Sequence, residues 1–571
     1  MYSFFKNKLK FNDSIKKKLF ILIFIWSSLL FFLNLQLNLS DQSNVIIFWL
    51  SILLMVGSVL YQVFFIENKI FVFFEIFIII LLLHLVYQLG FYGLNGSDPY
   101  LDYDLLKTII NNNHFVLGQE VDGWPMLHIF SSGISFVTNI DPFIIAKFLP
   151  SFISSIIILP FYLLIYEINK DKKVALFSCL VFGTIPKFMS FEASFVRETF
   201  ALFIMIFFIY VVYISKKRND NRFSMLPFLF IAVVVFAHHL TAFLILMLFG
   251  VYIVASKVIP LIYRKDRTFL SILSGRININ IIFLTTLIAV VAYWMYHAVF
   301  VLEHSIDFVD EILGLKYVAT TYAQAINLNT PIITLQGKII YYGFFFFHLL
   351  FSLILLIKFI KIKNRQKIED TSFSIFFFFC MFYAFLALYV VGSLPFPDRF
   401  LPFAWMFGII PITGFLLIFK KDIFKKILVI MIVIFLLYNI YNIEPDYYTG
   451  NTSNTGTVAT EKEYIIAKRY DFPDKYYGYD GVVAAIFDIQ GIKQRTGGVS
   501  ISELGDAFDY KTMAVISEQI YSKDLLYLKE KSQEEYNRVI RIISYKNYIN
   551  IDKICDFGDI YILKGNLTKS L

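Results

Sequence analysis

Charge is scarce in this chain. Charged residues make up 16% of its 571 residues, against roughly 25% in a soluble domain, too few to coat a water-facing surface. Cysteine is nearly missing as well. With three in all, Cys179 and Cys380 inside apolar runs and Cys555 alone near the end, neither a disulfide framework nor a cysteine metal site is indicated. No P-loop, dinucleotide fingerprint, His-Glu-x-x-His helix or Gly-x-Ser-x-Gly elbow occurs, which leaves nucleotide-driven transport and those hydrolytic mechanisms without a basis. The alternating segments of an outer-membrane barrel are also lacking, so the spanning elements are expected to be helices, which satisfy their own backbone in lipid. No small-residue cleavage site follows the first apolar run, and that run reads as a retained anchor behind Lys6, Lys8, Lys10, Lys16, Lys17 and Lys18.

What is present is apolar: 58% of the residues are hydrophobic and 19% aromatic. Apolar runs long enough for a helix to cross the hydrocarbon core fall near 19–37, 45–65, 70–89, 143–165, 174–190, 199–215, 225–237, 240–256, 281–302, 339–356, 373–391, 400–418 and 427–441. They predict a polytopic α-helical membrane protein of about thirteen transmembrane helices. Lysine and arginine mark the cytoplasmic loops: Lys170, Lys172 and Lys173; Lys216, Lys217 and Arg218; Arg264, Lys265, Arg267 and Arg276; Lys358 to Lys367; Lys420 to Lys426. The net charge of +8 therefore reports topology and not a nucleic-acid partner. With the N-terminus cytoplasmic, the loops 90–142, 303–338 and 392–399 lie outside. An odd number of spans places the tail from 442 outside too.

That tail, residues 442–571, is charged and holds no spanning run. It is expected to form a small extracytoplasmic α/β domain, with a helix over 460–470, strands near 481–488, 513–520 and 559–564, and a polar helix over 523–543. Residues 1–441 form the multi-span domain. Asn38, Asn95, Asn451 and Asn566 begin N-glycosylation sequons on the expected outer side.

Chemistry concentrates at the outer edge. Asp98, Asp102 and Asp104 fall within seven residues of the first outer loop. Such carboxylates can gather a hard divalent cation, or one can serve as base toward a hydroxyl; a solvated acidic loop with Asp98 as a helix cap is the plainer reading. Arg197 and Glu198 open the sixth span as an interfacial pair or a site. His238 and His239 separate two apolar runs, and adjacent residues on a helix point apart, so at most one faces any given site. Arg399, within Pro395-Phe-Pro-Asp-Arg-Phe-Leu-Pro402, stands where its planar fork could take a lipid phosphate or simply anchor the interface. Glu75 and His84 lie within the third span, more than two turns apart.

The order of a span, a loop with Asp98-Pro99-Tyr100, then Gly123-Trp124-Pro125-Met126-Leu127-His128 and a further span resembles the GT-C superfamily of membrane glycosyltransferases, which includes oligosaccharyltransferases, protein O-mannosyltransferases and aminoarabinose transferases. The oligosaccharyltransferase branch continues its Asp-Pro-Tyr with a His and an Arg where this chain has Asp102 and Asp104. That branch's Trp-Trp-Asp-Tyr-Gly signature is absent here, which argues against transfer of a whole glycan to asparagine. The resemblance implies a GT-C-like fold and an inverting transferase. It would move a sugar or glycan from a polyprenyl-phosphate-linked donor, such as a dolichyl phosphate, to a protein, lipid or glycan acceptor at the outer face of the cell membrane. It further implies Asp98 as catalytic base or metal holder, Glu198 facing it with Glu192 as the less favoured alternative, and Arg399 at the donor phosphate. A divalent cation, Mg or Mn, would draw ligands from Asp98, Asp102, Asp104, His238 and His239, and the loop 303–338 would cover the site. Rival readings are a secondary transporter or lipid-linked glycan flippase, expected to carry charge near the bilayer midplane, and a surface polysaccharide polymerase or ligase.

Overall fold

A computed structural model describes residues 13–38, 44–66, 69–90, 94, 98–114, 123–185, 188, 189, 192–218, 221–262 and 279–299, scattered positions between 403 and 437, and five strands in the tail. The helices are α1 (Asp13–Asn38), α2 (Val45–Phe65), α3 (Lys69–Gly90), α4 (Asp98–Asn112), α5 (Met126–Thr138), α6 (Pro142–Ile156), α7 (Ile158–Asn169), α8 (Lys172–Gly183), α9 (Arg197–Arg218), α10 (Asn221–Ala237), α11 (His239–Ile262) and α12 (Ile279–Tyr296). Among the described residues, six helical segments are long and apolar enough to cross a membrane, one of them the stretch 142–169 that α6 and α7 form together. The chain is a polytopic helical membrane protein.

Local chemistry sets the helix ends. Asn44 caps α2 by accepting from the amides of Ile46 and Ile47, while its own N–H donates to Asn34 Oδ1 at 2.8 Å, which ties α2 to α1. At the other end of α2, Lys69 Nζ donates to Val63 O at 2.8 Å and Lys173 Nζ to Phe64 O at 2.9 Å. Two cations thus meet the negative end of the helix, where unpaired carbonyls accumulate. The α2–α3 hairpin formed in this way packs with α1, and α3 also packs on α6 and α8. It supplies much of the core through Val72, Ile76, Ile79, Ile80, Leu83 and Val86.

Two expected spans differ from what forms. The run 143–165 is divided at Ile157 into α6 and α7. Pro160 has no N–H to offer the carbonyl of Ile156, and its ring crowds that carbonyl, so the helix breaks one turn earlier. The run 174–190 stops at Gly183, where Thr184 Oγ1 turns back to Leu180 O and Val181 O at 3.1 and 3.0 Å. At 12 residues, α8 is shorter than a membrane crossing requires. It also runs close to α3. A Cβ on Gly183 would collide with the side chain of Ile80, so glycine at that position lets the two helices approach.

The described part of the loop 90–142, which the sequence assigns to the outer side, is largely helical. It contains α4 and the apolar α5, which pack on each other and on α6. α5 further contacts α9 and α10.

In the tail, β1 (Tyr476–Gly478), β2 (Arg495–Gly498), β3 (Met513–Ser517), β4 (Ile551–Asp556) and β5 (Ile560–Gly565) form one mixed sheet in the order β2-β1-β3-β5-β4. β1 pairs in parallel with β2 and β3; β5 pairs antiparallel with β3 and β4. Strands β3 and β5 fall where the sequence predicts them. The strand expected near 481–488, the helices expected over 460–470 and 523–543, the loop 303–338, Arg399 and the expected spans 339–356 and 373–391 in full lie outside the described residues. Within the expected span 400–418, Phe403, Met406, Phe407, Ile409 and Ile410 are helical and buried.

Candidate functional site

The acidic segment lies on α4, and helical periodicity separates its members. Asp98 is the first residue of α4, whereas the sequence places it as the cap just outside. Asp102, one turn on, is 2% exposed, and Asp104, two residues further, is exposed. Positions i and i+2 of a helix do not face each other. Asp104 therefore takes the solvent side, with Lys107 as its countercharge.

Asp102 is the centre of the described cluster. Its Oδ1 accepts from His128 Nε2 at 3.2 Å and from Arg197 Nε at 3.1 Å. An ionised carboxylate only accepts, so the imidazole carries its proton on Nε2 toward Asp102. The Nδ1 of His128 is buried and has no hydrogen-bond partner among the described residues. His128 lies in the first turn of α5, and Arg197 is the first residue of α9. Both helices thus present their positive N-terminal ends to the carboxylate.

Trp124, just ahead of α5, joins this cluster to a third helix. The Arg197 guanidinium lies over its ring at 5.9 Å, within cation–π range. On the other side His239, the first residue of α11, packs its ring 4.7 Å from that of Trp124. Tyr293 of α12 donates to the carbonyl of Gly123 and fixes the approach to Trp124. The N-terminal ends of α5, α9 and α11 consequently converge at one tryptophan. Arg197, with its side chain 24% exposed, keeps an edge open to the surroundings. Such a meeting of positive helix ends with a guanidinium favours an anionic guest.

The two histidines take different partners, though their ring centroids lie 4.7 Å apart. His238 is buried between α10 and α11, with Nδ1 bonded to Thr241 Oγ1 at 3.0 Å and its carbonyl accepting from Ala242 N. It serves the start of α11, while His239 turns to Trp124.

Glu198 is buried at the second position of α9. Glu192 is also buried, in the turn before α9, and its backbone carbonyl accepts from Ser154 Oγ at 2.5 Å. Gln88 Nε2 holds the same turn through Ala193 O at 2.6 Å.

The structure therefore joins Asp102 with His128 and Arg197, and His239 with Trp124. Asp104 stands apart from this cluster, and His238 meets it through His239, whose ring centroid lies 4.7 Å from its own. Among the described residues no three His, Cys, Asp or Glu side chains gather to hold a metal ion. Asp102 faces a guanidinium, so the described cluster does not fit a divalent cation at that carboxylate. His128 is a central residue that the sequence supplied only as part of a motif. The signal that points to it is a lone histidine in the first turn of an otherwise apolar helix.

No family model matches the chain, and no curated protein matches it. Among solved structures, it is similar to the crystal structure of ArnT from Cupriavidus metallidurans bound to undecaprenyl phosphate, with 10% identity over 87% of this chain and 97% of that one and a TM-score of 0.41. An overlap that loose fixes no residue-to-residue correspondence.

Proposed function

We propose that the chain is a membrane glycosyltransferase of the GT-C kind, moving a sugar or glycan from a polyprenyl-phosphate-linked donor to an acceptor at the outer membrane face. One observation carries this reading. The two segments that bear the family resemblance, Asp98 to Asp102 and Gly123 to His128, are locked together through the Asp102–His128 bond beside Arg197 and three helix N-termini. A positive, partly open edge of that kind suits a lipid phosphate, and a charged cluster at a helix junction is costly unless it is paired or used.

A lipid phosphate is already a serviceable leaving group, so the protein need only position the reactants and stabilise charge. The acceptor's nucleophilic oxygen attacks the anomeric carbon as the bond to the phosphate oxygen breaks, inverting the centre. Asp98 takes the acceptor's proton. Glu198 completes the pocket, and Arg399 with the positive end of α9 receives the charge that builds on the departing phosphate. Asp102 is a positioning residue: held by His128 and Arg197, it fixes α4 and hence the place of Asp98. Placement of the site outside rests on the lysine and arginine pattern of the loops.

The test is the surface glycan profile of a strain carrying Asp98→Ala, with membrane insertion and abundance of the protein measured alongside. Loss of a glycan, or build-up of its lipid-linked precursor, is expected. An unchanged profile with the variant inserted and abundant overturns the assignment.

A further inference from the structure

One buried acid is unused by the site above. Glu75 lies in the spanning part of α3, about 9 Å along the helix from Lys69 at 1.5 Å per residue, and is 2% exposed. Beside it is Gln62 of α2, fully buried. Neither carboxyl oxygen of Glu75 and neither amide atom of Gln62 completes a hydrogen bond among the described residues. Buried polar groups are nearly always paired, so four unpaired atoms in one place call for an explanation.

Countercharge does not provide it. The titratable groups described on the helices around α3 are the lysines at the start of α1, Tyr61 on α2, Lys147 on α6, Tyr162, Tyr166 and Glu167 on α7, and Cys179 with the lysines at the start of α8, together with Lys69 and His84 on α3 itself. The polar side chain beside Glu75 is the neutral amide of Gln62, and no ion pair to Glu75 forms among the described residues. Lys69 and Lys173 are engaged with the end carbonyls of α2. An ionised carboxylate would thus sit in the bundle without a cation, which burial makes prohibitive.

A single proton supplies what is missing. We infer that Glu75 is an intramembrane proton-binding site. The protonated carboxyl donates its O–H to Gln62 Oε1 and accepts from Gln62 Nε2 on its other oxygen, closing a reciprocal acid–amide pair that fastens α2 to α3. Loss of the proton removes one bond and sets the carboxylate against the Gln62 carbonyl. The pair is independent of the proposed transferase reaction.

Glu75→Gln separates this from a passive packing role, because two amides make the same two bonds with no proton to lose. In lipid bilayers, the infrared difference between the full-length wild-type protein and E75Q is expected to show the C=O stretch of one protonated carboxyl at neutral pH. Wild type should lose stability relative to E75Q as pH rises, since the folded state keeps a proton that the unfolded state releases. Absence of that band overturns the inference. So does a band that sodium abolishes at constant pH, which would make the occupant a metal ion. Should E75Q fail to insert, Glu75→Asp decides: a protonated C=O band shifted from that of wild type supports the site, and an unchanged carboxyl region overturns it.

Discussion

At the scale of single residues, the site turns on a carboxylate whose partners come from elsewhere in the chain. Asp102 is buried between His128 and Arg197. Removing one partner of a buried ion pair costs about 3 to 5 kcal/mol, because the other charge is left uncompensated. Arg197→Ala should approach that range, measured by unfolding in detergent. His128→Ala should cost less, about 1 to 3 kcal/mol, since Arg197 remains. Arg197→Lys should not restore the loss, because lysine lacks the planar fork that lies over Trp124 while bonding Asp102. Equal effects of the arginine and histidine variants would contradict the assigned geometry. The three aspartates were legible in the sequence as a cluster, but their division into an inward Asp102 and an outward Asp104 follows from helix periodicity. Arg197 invited pairing with its neighbour Glu198; the fold brings it to Asp102, 95 positions away, and nothing local records that contact.

At the scale of elements, apolar runs located the helices well and their ends poorly. Hydrophobicity does not register the amide missing from Pro160, which ends α6 early, nor the short α8 beyond which the chain turns at Thr184. Both proline and glycine were visible in the sequence as breakers, and the length of the apolar runs masked them. Gly183 gives the direct check. In Gly183→Val the added side chain meets Ile80, which must leave its rotamer. A loss of about 1 to 3 kcal/mol in unfolding experiments is expected for such overpacking, with partial recovery when Ile80 is shortened to Val or Ala in the same chain. No recovery in the double variant would show that the α3–α8 contact is not the cause.

At the scale of the whole molecule, composition alone led to a bundle of membrane helices, because a chain this poor in charge has no other way to bury its surface. The same composition says nothing of which helix ends meet. That α5, α9 and α11 bring their N-termini to Trp124 depends on packing among four segments, and short-range pattern carries no trace of it. The reaction proposed for this junction has a direct readout in the purified full-length protein, reconstituted in lipid with the lipid-linked sugar pool extracted from its native membranes. Wild type should release free polyprenyl phosphate as sugar moves to acceptor, and Asp98→Asn, equally folded, should release almost none. Equal release by the two proteins, or no release by either with acceptor supplied, would contradict transfer at this site.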